Sequence, residues 1–268
     1  MLTPNLLEEV FPMKSFTTKS KINNVVFKLA AIIFWLLIWH IVSVTVDLQI
    51  LLPSPVSVFK KLVELSLTQK YWVAVGVSFV KIVAGILSGT IIAVIFAVLT
   101  AKVNAFNHIL SIPLNVIKST PVASFIIMAL VWVKSANLAT FVTAVMVIPI
   151  VWANIHEGIT TVDNKLLEVG KSYNFTVKKL IKYIYFPHLS PFFISSITSA
   201  AGLGWKAGIA AEVIASPKNA IGAYLNDSKV YLETEEMFAW TVTIIVLSSL
   251  IQLLLKALSH KNVGRDKK

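Results

Sequence analysis

The stretch VVFKLAAIIFWLLIWHIVSVTV, residues Val25–Val46, decides the fold class because it is long and apolar enough to cross a membrane. Its single charged residue, Lys28, lies near one edge. Crossing the hydrocarbon core of a bilayer takes roughly 20 apolar residues in a helix. A signal peptide usually has an apolar core of about 7–15 residues and a small-residue cleavage site, and neither is seen here. We interpret this stretch as a retained first transmembrane span.

The composition extends this interpretation to the rest of the chain. Of the 268 residues, 56% are hydrophobic and 14% charged, and the mean hydropathy is +0.79. Soluble domains are closer to about 45–50% apolar and about 25% charged. Apolar runs of spanning length predict an all-α membrane protein with about six transmembrane helices, at Val25–Val46, Trp72–Ala101, Ile109–Val133, Leu138–Ile155, Ile184–Ile214 and Met237–Leu258.

The charges predict how the chain lies in the membrane. We expect an N-terminal segment at 1–24, a single transmembrane domain at 25–258 and a basic tail at 259–268. With the N-terminus inside, and with Lys28 and Lys256 near the inner ends of their spans counted as inner, fifteen of the 24 Lys and Arg residues are inner, six are outer and three lie within spans. Because Lys and Arg accumulate on the cytoplasmic side, both termini are predicted to be cytoplasmic.

The sequence also excludes several classes of function. There is no Cys, the five His residues are scattered, and no G-x4-G-K-[ST] phosphate loop is present. The sequence shows no carboxylate pair or Ser/His/Asp arrangement that would indicate an enzyme. We therefore predict no catalytic residues, no metal site and no cofactor. The net charge is +11, and most of the Lys and Arg residues flank the spans. This position is typical of residues that set membrane topology and not of a nucleic-acid-binding surface.

The longest inner connection, residues 156–183, predicts a protruding helix–turn–helix. Asp163 is a candidate N-cap for a short helix, and Asn174 is a candidate left-handed stop. Thr176 can cap a second helix, Val177–Tyr185, that leads into the fifth span. The first helix offers apolar side chains at Leu166, Leu167, Val169 and Tyr173. An elbow of this kind is suited to docking another protein, and the alternative is a solvated connector.

A family resemblance begins in this connection, which reads EVGKSYNFTVKKLIKYIYFP from Glu168. It resembles the EAA loop of ABC importer permeases, whose pattern is E-A-A-x3-G-x9-I-x-L-P. Glu168, Ile184 and Pro187 match this pattern. Four positions depart from it, namely Val169 and Gly170 for the two Ala, Asn174 for the Gly and Phe186 for the Leu. The exchange at Asn174 is mild because Asn and Gly both accept the left-handed conformation.

The resemblance continues outside the loop, from about Leu52 to Leu258. The segment Leu52–Pro55 is similar to the "PSP" of the nitrate/taurine/alkanesulfonate branch of these permeases. Pro113–Trp132, with its Ser-Thr-Pro, resembles the third span of that branch. Trp205–Ile214, followed by Ala-Ile-Gly, resembles its fifth span. Each motif is short, and their order along a six-span chain gives the resemblance its weight.

The resemblance implies a type I ABC importer fold in a bacterial inner membrane, usually as a permease homodimer in contact with membrane lipid. It implies a separate ATPase subunit, in two copies, that hydrolyses ATP, and an extracytoplasmic binding protein that delivers the solute. The solute would be nitrate-, sulfonate-, taurine- or vitamin-precursor-like. The coupling loop would comprise Asp163, Leu166, Leu167, Glu168, Val169, Gly170, Tyr173, Asn174 and Pro187. The alternative is a self-contained secondary transporter or channel, which would need no docking elbow.

Charges within the spans are candidates for the translocation pathway, because each costs roughly 2.5–3.5 kcal/mol at mid-bilayer on insertion scales. The candidates are Lys118 with Ser119 and Thr120, together with Lys206 and Glu212. Two lysines would favour an anionic solute. The alternatives are that Lys118 extends to the cytoplasmic surface and that Glu212 is solvated near the outer end of its span.

Small residues at helix-packing spacing form two rows, one in the second span and one in the fifth. They are Gly85 and Gly89, and Ala200, Gly204 and Gly208. Such rows let helix backbones approach closely in a membrane. The sequence leaves open whether they pack within one subunit or between two.

Overall fold

The computed structural model describes residues 21–46, 48 and 50–263. The expectations for the first twenty residues and for the last five lie outside them. The described residues form eleven α-helices and one π-helix and include no strand, which confirms the all-α prediction. Contacts within the chain group the residues up to Val56 and those from Ser57 onward into two compact units.

The first unit contains α1, Lys21–Val46, and the segment that follows it. Two side chains of α1 bind this segment. Trp39 Nε1 donates to the Pro53 carbonyl at 3.1 Å, and Ser43 Oγ donates to the Leu52 carbonyl at 2.9 Å. These bonds satisfy carbonyl groups in a stretch where Pro prevents a continuing helix.

The second unit contains the remaining helices of the described chain. Helix α2, Pro55–Ser66, starts two residues before the boundary between the units. The others are α3 Gln69–Lys102, α4 Asn104–Ser119, α5 Val122–Ala129, α6 Ser135–Thr160, α7 Asn164–Ser172, α8 Val177–Leu180, the π-helix Ile181–Tyr185, α9 Phe186–Ala215, α10 Ile221–Val230 and α11 Thr234–Val263. The longest helices, α3, α6, α9 and α11, coincide with predicted spans two, four, five and six, and each extends beyond the predicted limits at one end or both. The apolar runs therefore located these helices to within a few residues.

The core of this unit is the packing of α6 against both α3 and α9. Glycine on α3 makes the first contact close, since a Cβ on Gly85 would lie 2.6 Å from the Thr140 carbonyl oxygen. A Cβ on Gly89 would lie 2.6 Å from the Ala144 carbonyl oxygen. Real Cβ atoms do not come this close, so these two positions require glycine.

The row on α9 packs in the same way. A Cβ on Gly208 would lie 2.6 Å from Thr143 Oγ1, and one on Gly204 would lie 3.1 Å from Thr143 Cγ2. Thr143 Oγ1 also donates to the Gly204 carbonyl at 3.2 Å. Ala200 is fully buried. Both small-residue rows thus make contacts within this chain, which is one of the two alternatives left open by the sequence.

The predicted third span, Ile109–Val133, is not one continuous helix in the structure. It is divided between α4 and α5, whose axes are bent by 107°. The break lies at Thr120 and Pro121, where Thr120 has an extended backbone (φ −74°, ψ 131°). Proline lacks an N–H and disfavours helical geometry in the residue before it, so the helical hydrogen bonding stops there.

Four described helices are long and apolar enough to cross a membrane, and five if the bent pair counts as one span. Helix α9, with 30 residues, is long enough to span a membrane, but its Ser, Thr and Gly residues lower its mean hydropathy and it is not among these helices. The number of six spans therefore stays a prediction.

Candidate functional site

The elbow, defined here as residues Asp163–Tyr185, has the predicted local geometry. Its first helix, α7, is capped at its N-terminus by Asp163, whose carboxylate accepts a hydrogen bond from the Lys165 N–H at 2.8 Å. The helix ends at Ser172, and two residues later Asn174 adopts the left-handed conformation with a φ of 49°. The Asn174 N–H donates to the Lys171 carbonyl at 2.9 Å and the Phe175 N–H to the Gly170 carbonyl at 2.8 Å. This pair of bonds is a Schellman motif, so both ends of α7 are fixed locally.

The inside of the elbow is a small apolar contact centred on Gly170. This residue is buried, and a Cβ on it would lie 3.0 Å from Leu180 Cδ2 and 3.2 Å from Ile184 Cδ1. The small residue lets α7 lie directly against α8 and the π-helix. Thr176 precedes α8 as predicted, without a side-chain cap bond among the described atoms.

The outside of the elbow is apolar and exposed. Leu166 is 49% exposed, Val169 51% and Tyr173 74%. Glu168 lies among them and is also exposed, whereas Leu167 is half-buried. Exposed apolar side chains around one carboxylate, on a helix with two fixed ends, make a surface of the kind that binds another protein.

Helix α9 presents a row of polar side chains that no described part of the chain covers. Lys206, Ser199 and Ser195 are all exposed, and Gly202 lies between them. Residues spaced by three or four share one face of a helix, so these four form a line about 16 Å long. The sequence-based prediction did not include the two serines, although Ser199 and Ser195 precede Lys206 by seven and eleven residues, a spacing that could have indicated them.

The depth of Lys206 follows from the neighbours of the adjacent glycines. Gly204 approaches Ile86 and Gly208 approaches Ile82. Both isoleucines lie near the middle of α3, which runs from residue 69 to residue 102. Lys206 is therefore an exposed cation about halfway along the helix bundle.

Glu212 differs from the expectation of a solvated side chain near the outer end of its span. It is 0% exposed. Its Oε2 accepts hydrogen bonds from Ser78 Oγ at 2.7 Å and from the Gly222 N–H at 3.2 Å, while Ser78 Oγ accepts from the Ile221 N–H at 2.9 Å. The carboxylate thus joins the start of α10 to α3 and α9. The expectation failed because the sequence did not reveal that α10 folds back over this residue.

The third candidate group lies at the break between α4 and α5. Lys118 and Ser119 are exposed and Thr120 is half-buried. The Ser119 and Thr120 hydroxyls both donate to the Val116 carbonyl, at 3.0 and 2.7 Å. Ile117, next to Lys118, packs against the buried cluster that contains Ala207 and Ala211 of α9. The break is thereby placed beside the part of α9 that carries Lys206.

Taken together, the fold and this geometry define a class, an α-helical membrane protein with an exposed helical elbow and polar groups along one long helix. The chain belongs to the family described as "binding-protein-dependent transport system inner membrane component", whose model matches residues 85–263. It is a multi-pass permease of an ATP-binding-cassette importer of the bacterial inner membrane.

Similar proteins agree with this family. The aliphatic sulfonates transport permease protein SsuC of Bacillus subtilis is 22% identical over 84% of this chain and 82% of its own length. The taurine transport system permease protein TauC of Escherichia coli is 17% identical over 83% of each chain. The bicarbonate transport system permease protein CmpB of Synechococcus elongatus is 24% identical over 78% of this chain and 79% of its own.

Proposed function

We propose that two copies of this chain form the pathway of an importer for a small oxyanion-bearing solute, driven by separate ATPase subunits that dock on the elbow. An external binding protein delivers the solute, and both termini of the chain lie in the cytoplasm. The outer surface of the elbow carries the proposal. Leu166, Val169 and Tyr173 would be costly to expose without a partner, and both ends of α7 hold them in place.

A pair of matched tyrosines tests the docking surface. Tyr173 and Tyr231 are each 74% exposed, but Tyr231 lies at the end of α10, away from the elbow. We expect Tyr173→Ala to weaken copurification of the ATPase on the order of tenfold, since exposed aromatic residues often dominate interfaces. Tyr231→Ala should leave copurification unchanged.

A second variant at the elbow tests coupling. Glu168→Lys reverses a charge on the docking surface without touching the apolar contact at Gly170. It should lower solute-stimulated ATP hydrolysis in the reconstituted complex while the chain still inserts into the membrane. Full ATPase binding and full stimulation in both Tyr173→Ala and Glu168→Lys would remove the elbow from the proposal.

The class of solute rests on Lys206. An exposed ammonium group at this depth is unfavourable against lipid, and it is favourable beside water and a passing anion. The serine hydroxyls in the same row can donate hydrogen bonds to oxygen atoms. The names of the relatives point the same way, since sulfonates, taurine and bicarbonate all carry negatively charged oxygen groups.

The alternative of a self-contained transporter makes a different prediction. The chain alone, reconstituted in vesicles, would then move solute without ATP. We expect no uptake until the ATPase, ATP and the binding protein are added.

A further inference from the structure

An apolar groove opens where α9 and the π-helix separate from α3 and α6. Its volume is about 360 Å³, and among the described residues that line it Ser190 is the only small polar one. Val94 and Ile155 form one side, and Ile181, Tyr185 and Leu189 belong to the other. The volume falls within the range of roughly 300–1,000 Å³ that is common for ligand pockets.

The groove lies in the half of the bundle that carries the elbow. Val94 precedes the end of α3 at Lys102 by about 12 Å of helix rise. Ile181 and Tyr185 belong to the π-helix that ends the elbow. In the orientation proposed above, the elbow is cytoplasmic, so the groove lies at the depth of the inner leaflet.

Two lysines lie on the side of the groove toward the elbow. Lys178 precedes Ile181 by three residues, which places it on the face that lines the groove. Lys182 follows Ile181 directly in the π-helix and lies at the edge of the groove, with its ammonium 5.4 Å from the centre of the Tyr183 ring. Both are exposed, and among the described residues neither has a carboxylate within 4.0 Å. Lys179 differs in direction, since its ammonium lies 6.0 Å from the centre of the Phe175 ring, on the elbow.

Nearby acidic charge does not cancel these cations. Glu157 on α6 is exposed and follows the groove residue Ile155 by two positions. Residues two apart on a helix point to different sides, so this carboxylate points away from the groove.

We propose that the groove binds an acyl chain of an anionic phospholipid of the cytoplasmic leaflet and that Lys178 and Lys182 bind its phosphate headgroup. An apolar groove continued by cations at the depth of the headgroups matches the two parts of such a lipid. The site adjoins the base of the elbow, so the bound lipid would brace the junction between the π-helix and α9. This inference rests on the proposed orientation of the chain.

The first test compares lipid binding by purified full-length variants, using native mass spectrometry with phosphatidylglycerol or phosphatidylcholine of the same acyl chains. We expect wild type to retain phosphatidylglycerol preferentially. Lys178→Gln/Lys182→Gln should lower this retention roughly tenfold or more, because each cation near a headgroup contributes appreciably. Lys171→Gln/Lys179→Gln removes the same charge from the elbow and should retain the lipid. Equal retention of both lipids by wild type would overturn the proposal.

The second test fills the groove and leaves the lysines unchanged. Val94→Trp, or the smaller change Ser190→Leu if the first variant does not elute as a single species, should also lower phosphatidylglycerol retention. Unchanged retention would mean that lipid is attracted only to a basic surface, and the groove would be excluded. Loss of association between two copies of the chain would instead identify the groove as a subunit contact. The readout is lipid binding, so failure here leaves the proposed transport function untouched.

Discussion

The two faces of α9 carry ionisable residues in opposite surroundings. Glu212 is fully buried and held by Ser78 and Gly222, whereas Lys206 is exposed in a row with Ser195 and Ser199. Six residues turn a helix by about 240°, so the two side chains point in well-separated directions. The comparison teaches that a charge in an apolar span can belong to the scaffold or to the pathway. The packing of its helix face decides which.

The largest effect is expected from a substitution that disrupts the packed face of α9. Gly208→Val would place a Cβ 2.6 Å from Thr143 Oγ1 and 2.7 Å from Ile82 Cγ1. Overpacking of this kind costs about 3 kcal/mol, so the purified variant should lose its monodisperse peak at a clearly lower temperature. Gly202→Val on the other face is the control, since its Cβ would meet only Gln252 Nε2, at 3.7 Å. Equal melting of the two variants would contradict the assignment of the faces.

Glu212 gives the next largest effect. Glu212→Ala removes the acceptor of the Ser78 hydroxyl and the Gly222 N–H, and unsatisfied buried groups cost about 1–3 kcal/mol each. We expect a lower melting temperature in detergent. Glu212→Gln keeps one carbonyl oxygen as acceptor and should lose less. If Glu212→Gln melted like wild type but changed which solute is taken up, Glu212 would belong to the pathway after all.

Lys206 should show the reverse pattern, with an effect on transport and little on stability. Lys206→Gln is expected to lower uptake of an oxyanion solute roughly tenfold, which corresponds to about 1.4 kcal/mol. Lys206→Arg, which keeps the charge, should retain part of the uptake. Lys229→Gln, an exposed lysine on α10, is the control for a general effect of charge. Wild-type uptake and solute preference in Lys206→Gln would remove the reason to place the pathway on this face.

The sequence predicted what is determined locally. Asp163 and Asn174 fix the ends of α7 through their own side chain and backbone, so their roles could be read from residue types. The apolar runs located the long helices for a similar reason. The surroundings of Glu212 could not be predicted, because they depend on Ser78, more than a hundred residues earlier in the chain. The 107° angle of the break after Thr120 could not be predicted either, since proline marks a break without setting its angle.

The smallest effect is expected from a comparison of alanine substitutions at two serines of α9 that are three residues apart. Ser199 lies in the exposed row, whereas Ser196 is buried and donates to the Phe193 carbonyl at 2.8 Å. A single hydrogen bond contributes about 0.5–1.5 kcal/mol, so Ser199→Ala should lower uptake by roughly two- to tenfold and leave the melting temperature unchanged. Ser196→Ala should leave solute preference unchanged, because its hydroxyl is already bonded within the helix. If the two variants behaved alike in uptake, the row would have no more access to the solute than the packed face has.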